Sequence, residues 1–183
     1  NLENKVFFIP TAGNKEDYTA YIDEAQQTFK DLGFEIEVLD IASCDRETAQ
    51  AKIFQSKILY ISGGNTFYLL QELKKKQLLS LIKEQIRDGL IYVGESAGAI
   101  ITAKDVDYNK LMDDKTVAKE LSDTTGLNEV EFYILPHYGE EPFTDSSKKT
   151  FETYKNQLDL MRMNNSQAVI VNDKEIKVVS EQD

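Results

Sequence analysis

Chemistry in this chain can start at Ser96. The serine stands in Gly94-Glu95-Ser96-Ala97-Gly98-Ala99, directly after the apolar run Leu90-Ile91-Tyr92-Val93. A strand that turns sharply into a helix through a serine leaves the hydroxyl exposed at the turn. Glycines two places before and after the serine are needed there, because side chains would meet the backbone. This pattern reads as a nucleophile elbow; the competing reading is an ordinary strand-to-helix turn in which Ser96 caps the helix. A serine hydroxyl attacks a carbonyl only when a base takes its proton, and histidine does this near neutral pH. The chain has one histidine, His137, 41 positions later and directly after Pro136. A third feature, Ser62-Gly63-Gly64-Asn65-Thr66, also follows an apolar strand and opens a helix. Paired glycines there free backbone N–H groups to face an oxyanion, with the positive end of the helix behind them. A tight turn capped by Asn65 or Thr66 accounts for the same residues, and neither phosphate-loop fingerprint is present.

The elements that must position these groups alternate. Val6-Phe7-Phe8-Ile9 is strand-like and is closed by Pro10; Tyr18, Tyr21, Ile22, Ala25, Phe29 and Leu32 recur at helical spacing before Gly33. A second strand over 34–39, with Glu35 and Glu37 facing out, a short helix over 48–54 and the apolar strand Ile58-Leu59-Tyr60-Ile61 follow. Helices opening at Thr66 and over 78–88 then lead to the Ser96 strand. Strands alternating with helices give a parallel sheet with helices on both faces, and ligands sit beyond the carboxyl ends of such strands. Residues 104–128 are polar and aperiodic and read as loops on that side; 131–135 is a strand ended by Pro136, with His137 immediately after it. Phe151, Tyr154, Leu158 and Met161 predict a helix over 148–163, and 168–171 with 176–179 predict a closing hairpin around Asn172-Asp173.

Composition bounds the rest. The 183 residues are 41% hydrophobic, enough for one domain, taken as 1–183, with its own core. A net charge of −11 with only three arginines, Arg46, Arg87 and Arg162, argues against nucleic acid or an anionic membrane as partner. No apolar run reaches the roughly 18 residues of a membrane span, so a cytoplasmic protein is expected. Cys44 is the single cysteine, which excludes an intrachain disulfide and a thiolate metal cluster; no metal or other cofactor is expected. The chain begins without methionine, and its native start is expected to lie upstream.

Together the separated motifs resemble the peptidase E (S51, aspartyl dipeptidase) family of serine peptidases, with a shorter-branch member the better comparison. The matching segments are Phe8-Ile9-Pro10-Thr11-Ala12-Gly13, Gly63-Gly64-Asn65-Thr66-Phe67-Tyr68-Leu69-Leu70, Gly94-Glu95-Ser96-Ala97-Gly98-Ala99 and Leu135-Pro136-His137, in order over most of the chain. The resemblance implies a flavodoxin-like α/β sheet similar to class I glutamine amidotransferases, and a first strand upstream of Val6. It implies Ser96 as nucleophile, His137 as base, and the N–H groups of Gly64 and Ala97 as oxyanion donors. A small peptide is the implied substrate, cleaved through an acyl-enzyme, and a homodimer is compatible with the family. The family's third triad position falls on Leu111, which cannot orient an imidazole, so Asp105 is expected in that role, with Asp107, Asn109 and Asp113 as alternatives. The arginine that reads an N-terminal aspartate is missing between 138 and 154, where Glu140, Glu141 and Asp145 stand instead. Asp-X specificity is therefore not carried over. Two other readings stay open: a weak or inactive homologue with a binding role, and a cyanophycinase-like amide hydrolase.

Overall fold

The computed structural model describes residues 4–181. Four strands, β1 (Lys5–Ile9), β2 (Glu35–Val38), β3 (Ile58–Ile61) and β4 (Ile91–Gly94), form a parallel sheet in the order β2-β1-β3-β4. Helix α1 (Ala20–Asp31) joins β1 to β2, α2 (Arg46–Gln55) joins β2 to β3, and α3 (Thr66–Lys75) with α4 (Leu79–Arg87) joins β3 to β4. Strand alternation divides the core between the two faces. Phe7, Ile9, Leu59 and Ile61 pack with Ala49, Ile53, Phe67, Leu70 and Ile82. Val6, Phe8, Ile58 and Tyr60 point the other way, onto Ile22, Ala25 and Phe29 of α1. Burial on both faces is why β1 and β3 are unbroken apolar runs. Because β1, β3 and β4 are adjacent and parallel, the turns that leave their carboxyl ends meet on one edge.

Beyond β4 the chain makes the short helix α5 (Ala97–Ile100), then 3-10 turns at Asp107–Leu111 and Lys115–Val117 within the expected loop region. Strand β5 (Tyr133–Leu135) leads to His137 and pairs in parallel with β6 (Leu160–Arg162) in a small separate sheet. The Tyr108 hydroxyl donates to the Ile134 carbonyl, tying the first 3-10 turn to β5. Strands β7 (Gln167–Asn172) and β8 (Glu175–Ser180) form the expected antiparallel hairpin. Among the described residues no helix is long and apolar enough to cross a membrane.

Two expectations are corrected. The helix read over 148–163 is α6 (Thr144–Tyr154), and its supposed last turn is β6. Leu160 packs on the main core while Met161 turns to the Phe132, Ile134 and Met163 cluster. Adjacent residues on opposite faces are strand geometry, and the apolar spacing mimicked a helix only by coincidence of period. Glu37 is not a free outward carboxylate: Lys5 bonds it at 2.9 Å and Lys52 also pairs with it, and those hydrogen bonds hold its carboxyl below the usual range.

Phe8 is fully buried and stacks on Tyr60 with ring centroids 4.6 Å apart. Phe8→Ala is expected to lower the unfolding free energy by about 3–5 kcal/mol in chemical denaturation. Ile170→Ala, at a side chain 53% exposed, is expected to change it by no more than about 0.5 kcal/mol.

Candidate active site

Ser96 occupies the first position before α5 with φ 45° and ψ −103°, and its side chain makes no capping bond to the helix. The capping reading therefore does not describe this turn; the hydroxyl is released from the helix and points elsewhere. The two flanking glycines are explained by contact. A Cβ on Gly94 would lie 2.5 Å from the carbonyl carbon and oxygen of Gly98, and one on Gly98 would lie 2.2 Å from the Ile61 carbonyl oxygen. The Tyr92 hydroxyl donates to the Gly98 carbonyl at 2.5 Å, and the Ala99 and Ile100 N–H groups donate to the Ser96 carbonyl at 2.9 and 2.8 Å. Together these hold a non-glycine residue in a backbone region that costs about 1–3 kcal/mol.

The glycine turn after β3 lies against this elbow. Gly64 has φ 125°, and a Cβ there would sit 2.3 Å from the Ala12 carbonyl carbon, so it is pressed onto the loop after β1. Asn65 does cap α3, accepting from the Tyr68 N–H at 3.0 Å, so the bland reading of this residue holds as well. A Cβ on Gly63 would lie 3.4 Å from the Ser96 Cβ. Between the two turns, the Glu95 carboxylate accepts from the Tyr60 hydroxyl at 2.6 Å and the Gly63 N–H at 3.2 Å. Burial and this neighbouring carboxylate push the Tyr60 hydroxyl well above its usual pKa. Among the described residues, the N–H groups of Gly64 and Ala97 have no protein acceptor.

His137 follows Pro136 with φ 54°, which turns the chain back over the sheet edge. Its Nε2 lies 3.0 Å from the Ser96 Oγ. Its Nδ1 lies 2.7 Å from the Oδ1 of Asn165, and the ring stacks on Phe143 at 4.9 Å and 23°. The expected partner, Asp105, is not there: its carboxylate accepts from the Asp107 N–H at 2.8 Å, and its backbone bridges to Thr125. A short polar side chain that closes its own turn has no reach left for the imidazole. The alternatives are also engaged elsewhere. Asp107 pairs with Lys110 and Lys115, both at 2.6 Å. Asn109, 1% exposed, donates to the Thr66 hydroxyl at 3.1 Å, and Asp113 accepts from the Thr66 N–H at 2.8 Å. Burial pushes the Asp113 carboxyl up, opposed by the Thr66 bonds and by the nearby His137. The sequence gives no sign of Asn165: Asn164-Asn165-Ser166 reads as turn residues, and it reaches His137 only through the pairing of β6 with β5.

The sequence matches the model of a known family. The model of peptidase family S51 matches residues 1–179. The chain belongs to peptidase family S51. It is 41% identical to an uncharacterized peptidase of Pasteurella multocida over 98% of this chain and 86% of that protein. To a peptidase E from a Nostoc species it is 31% identical over 73% of this chain and 52% of that protein. A crystal structure of a candidate peptidase E protein from Listeria monocytogenes superposes with a TM-score of 0.92 at 36% identity, covering 98% of this chain and 88% of that one. This S51 member is thus a peptidase of the peptidase E kind, and the flavodoxin-like expectation for its sheet is met by the α/β architecture described above.

The backbone at Ser96 makes a stability prediction. Ser96→Gly relieves the positive-φ strain and is expected to unfold about 1 kcal/mol later than Ser96→Ala. Gly98→Ala, which drives a methyl into the Ile61 carbonyl, is expected to cost about 3 kcal/mol or more. Denaturant titration of the three variants decides both.

Proposed function

We propose that Ser96 is the nucleophile and His137 the general base of a serine peptidase acting on small peptides. The contact of 3.0 Å between His137 Nε2 and Ser96 Oγ, at a serine freed from its helix by a strained turn, carries this reading. Nε2 takes the hydroxyl proton as Oγ attacks the scissile carbonyl. The oxygen that gains charge is met by the N–H groups of Gly64 and Ala97, which no protein acceptor claims among the described residues; Ala97 follows Ser96 in the elbow and Gly64 stands on the glycine turn packed against it. His137 returns the proton to the leaving amine, and a water activated in the same way releases the acyl group.

The surroundings favour a substrate end that is not anionic. Tyr21 lies over the glycine turn, its ring 3.5 Å from where a Gly63 Cβ would be. Burial pushes its hydroxyl up to about 12, and Glu16, Glu95 and Asp113 add negative charge around it. Glu140 and Glu141 lie just beyond His137. Arg162 is stacked on the rings of Tyr138 and Phe151, at 5.1 and 4.7 Å. A field of carboxylates repels a substrate carboxylate.

An activity-based fluorophosphonate probe should label the wild-type protein and fail on Ser96→Ala, whose circular dichroism stays unchanged. Survival of labelling in that variant overturns the assignment. His137→Gln is expected to lose roughly 10³-fold or more in kcat. On a panel of dipeptides, Asp-X should be cleaved more slowly than neutral or basic X-X′ substrates; a preference for Asp-X would reverse the specificity reading.

A further inference from the structure

We propose that Glu95 is the positioning residue of the Gly63-Gly64 turn, the carboxylate that fixes which backbone N–H of that turn stays free for the oxyanion. This rests on the Ser96–His137 reading above, with Gly64 as a donor. From Ser62 to Thr66, each of the other four N–H groups has an acceptor. Ser62 donates to the Ile9 carbonyl at 3.0 Å and Asn65 to the Ala12 carbonyl at 2.9 Å, so the chain leaving β1 holds the turn at both ends. Thr66 donates to the Asp113 carboxylate at 2.8 Å. Gly63 has no backbone acceptor among the described residues, and its N–H goes to the Glu95 Oε2 at 3.2 Å. Gly64 alone is left over.

The free N–H belongs to the peptide unit joining Gly63 to Gly64, which is planar, with its carbonyl and its N–H pointing opposite ways. The carbonyl of that unit accepts from the hydroxyl of the buried Ser62 at 3.0 Å. Gly63 is therefore gripped at its N–H by Glu95 and at its carbonyl by Ser62, and the direction of the Gly64 N–H follows. Two adjacent glycines have more backbone freedom than any other pair, so a side chain from outside the turn is needed to keep it in one shape.

Glu95 is itself held. Its N–H donates to the Ile61 carbonyl at 2.9 Å, and the Oε2 that meets Gly63 also accepts from the Tyr60 hydroxyl at 2.6 Å. The Tyr60 ring is buried, stacked on Phe8 and edge-on to Phe29 with centroids 5.2 Å apart. The core thus reaches the turn through one hydroxyl and one carboxylate. Because Glu95 directly precedes Ser96, the same grip sets the attacking oxygen against the donor that must meet the developing charge. What Glu95 supplies is an acceptor; its charge is incidental, and a glutamine side-chain oxygen has lone pairs for both donors.

The experiment measures kcat and KM of wild type, Glu95→Ala, Glu95→Gln and Tyr60→Phe on one neutral dipeptide, with thermal midpoints as a check on folding. It adds the Ki of a peptide aldehyde, whose carbonyl oxygen takes the oxyanion position when Ser96 Oγ adds to it. Glu95→Ala is expected to lose roughly 10- to 100-fold in kcat with KM within about twofold, and to weaken the aldehyde by a similar factor. Glu95→Gln is expected to restore most of both. Tyr60→Phe, which keeps the ring stack and frees the carboxylate, is expected to move kcat and Ki in the same direction as Glu95→Ala. Wild-type kcat in Glu95→Ala or, should that variant not fold, in Tyr60→Phe overturns the proposal. So does a loss confined to KM, or a Glu95→Gln as impaired as Glu95→Ala. Fluorophosphonate labelling of wild type separates the two readings. If it fails, the Ser96–His137 reading falls; if it holds while Glu95→Ala turns over normally, only the role of Glu95 falls.

Discussion

The site depends on backbone touching backbone where adjacent parallel strands end. Strands in a sheet are about 4.8 Å apart, so turns leaving neighbouring strands on the same edge collide unless their side chains are removed. Here the turns after β1, β3 and β4 converge, with Ile9 paired to Ile61 and Ile61 to Gly94. Gly64 meets Ala12, Gly98 meets Ile61, and Gly94 meets Gly98, each closer than any Cβ could stand. With those three methyl-sized gaps closed, the serine has one direction left to point. The close approach places Ser96 beside the glycine turn, and everything that the hydroxyl can do follows from it.

Strain and restraint are balanced around that contact. Ser96 and His137 both sit at positive φ, a backbone region that L residues occupy only when their neighbours compel it. The neighbours are specific. Tyr92 grips the Gly98 carbonyl, and Glu95, one residue before Ser96, faces backward to bond Tyr60 and Gly63. A single carboxylate thus ties the elbow to the turn opposite. Tyr108 holds the strand that ends at His137, and the main core beneath supplies the rigidity.

Much of this was legible in the sequence because it is local. The Ser96 elbow, the Gly63-Gly64 turn and the strand ending in Pro136 each carry their signal within a few residues, and the continuous apolar runs of β1 and β3 announce a sheet covered on both sides. The partner of the imidazole was not legible. Asp105, Asp107, Asn109 and Asp113 all follow the elbow closely in sequence, and Asp105 comes directly after the elbow helix, whereas its carboxylate closes its own turn. Asn165 is 28 positions from His137 and reaches it only because β6 pairs with β5, a parallel pairing with no local signature, hidden further by apolar residues at helical spacing. Long-range parallel pairing is where a single sequence says least.

The chain order of these parts has a consequence for how the protein is made. Synthesis proceeds from the N-terminus, and domains begin to fold as they emerge. The four-stranded sheet and the serine turn are complete by residue 100, the imidazole arrives at 137, and the loop that contacts its second nitrogen is tied down only at 181. A serine hydroxyl without a base is a weak nucleophile. A chain still on the ribosome therefore presents the Ser96 hydroxyl before its histidine partner exists, and the Ser96–His137–Asn165 contacts form only after the C-terminal strands have been delivered.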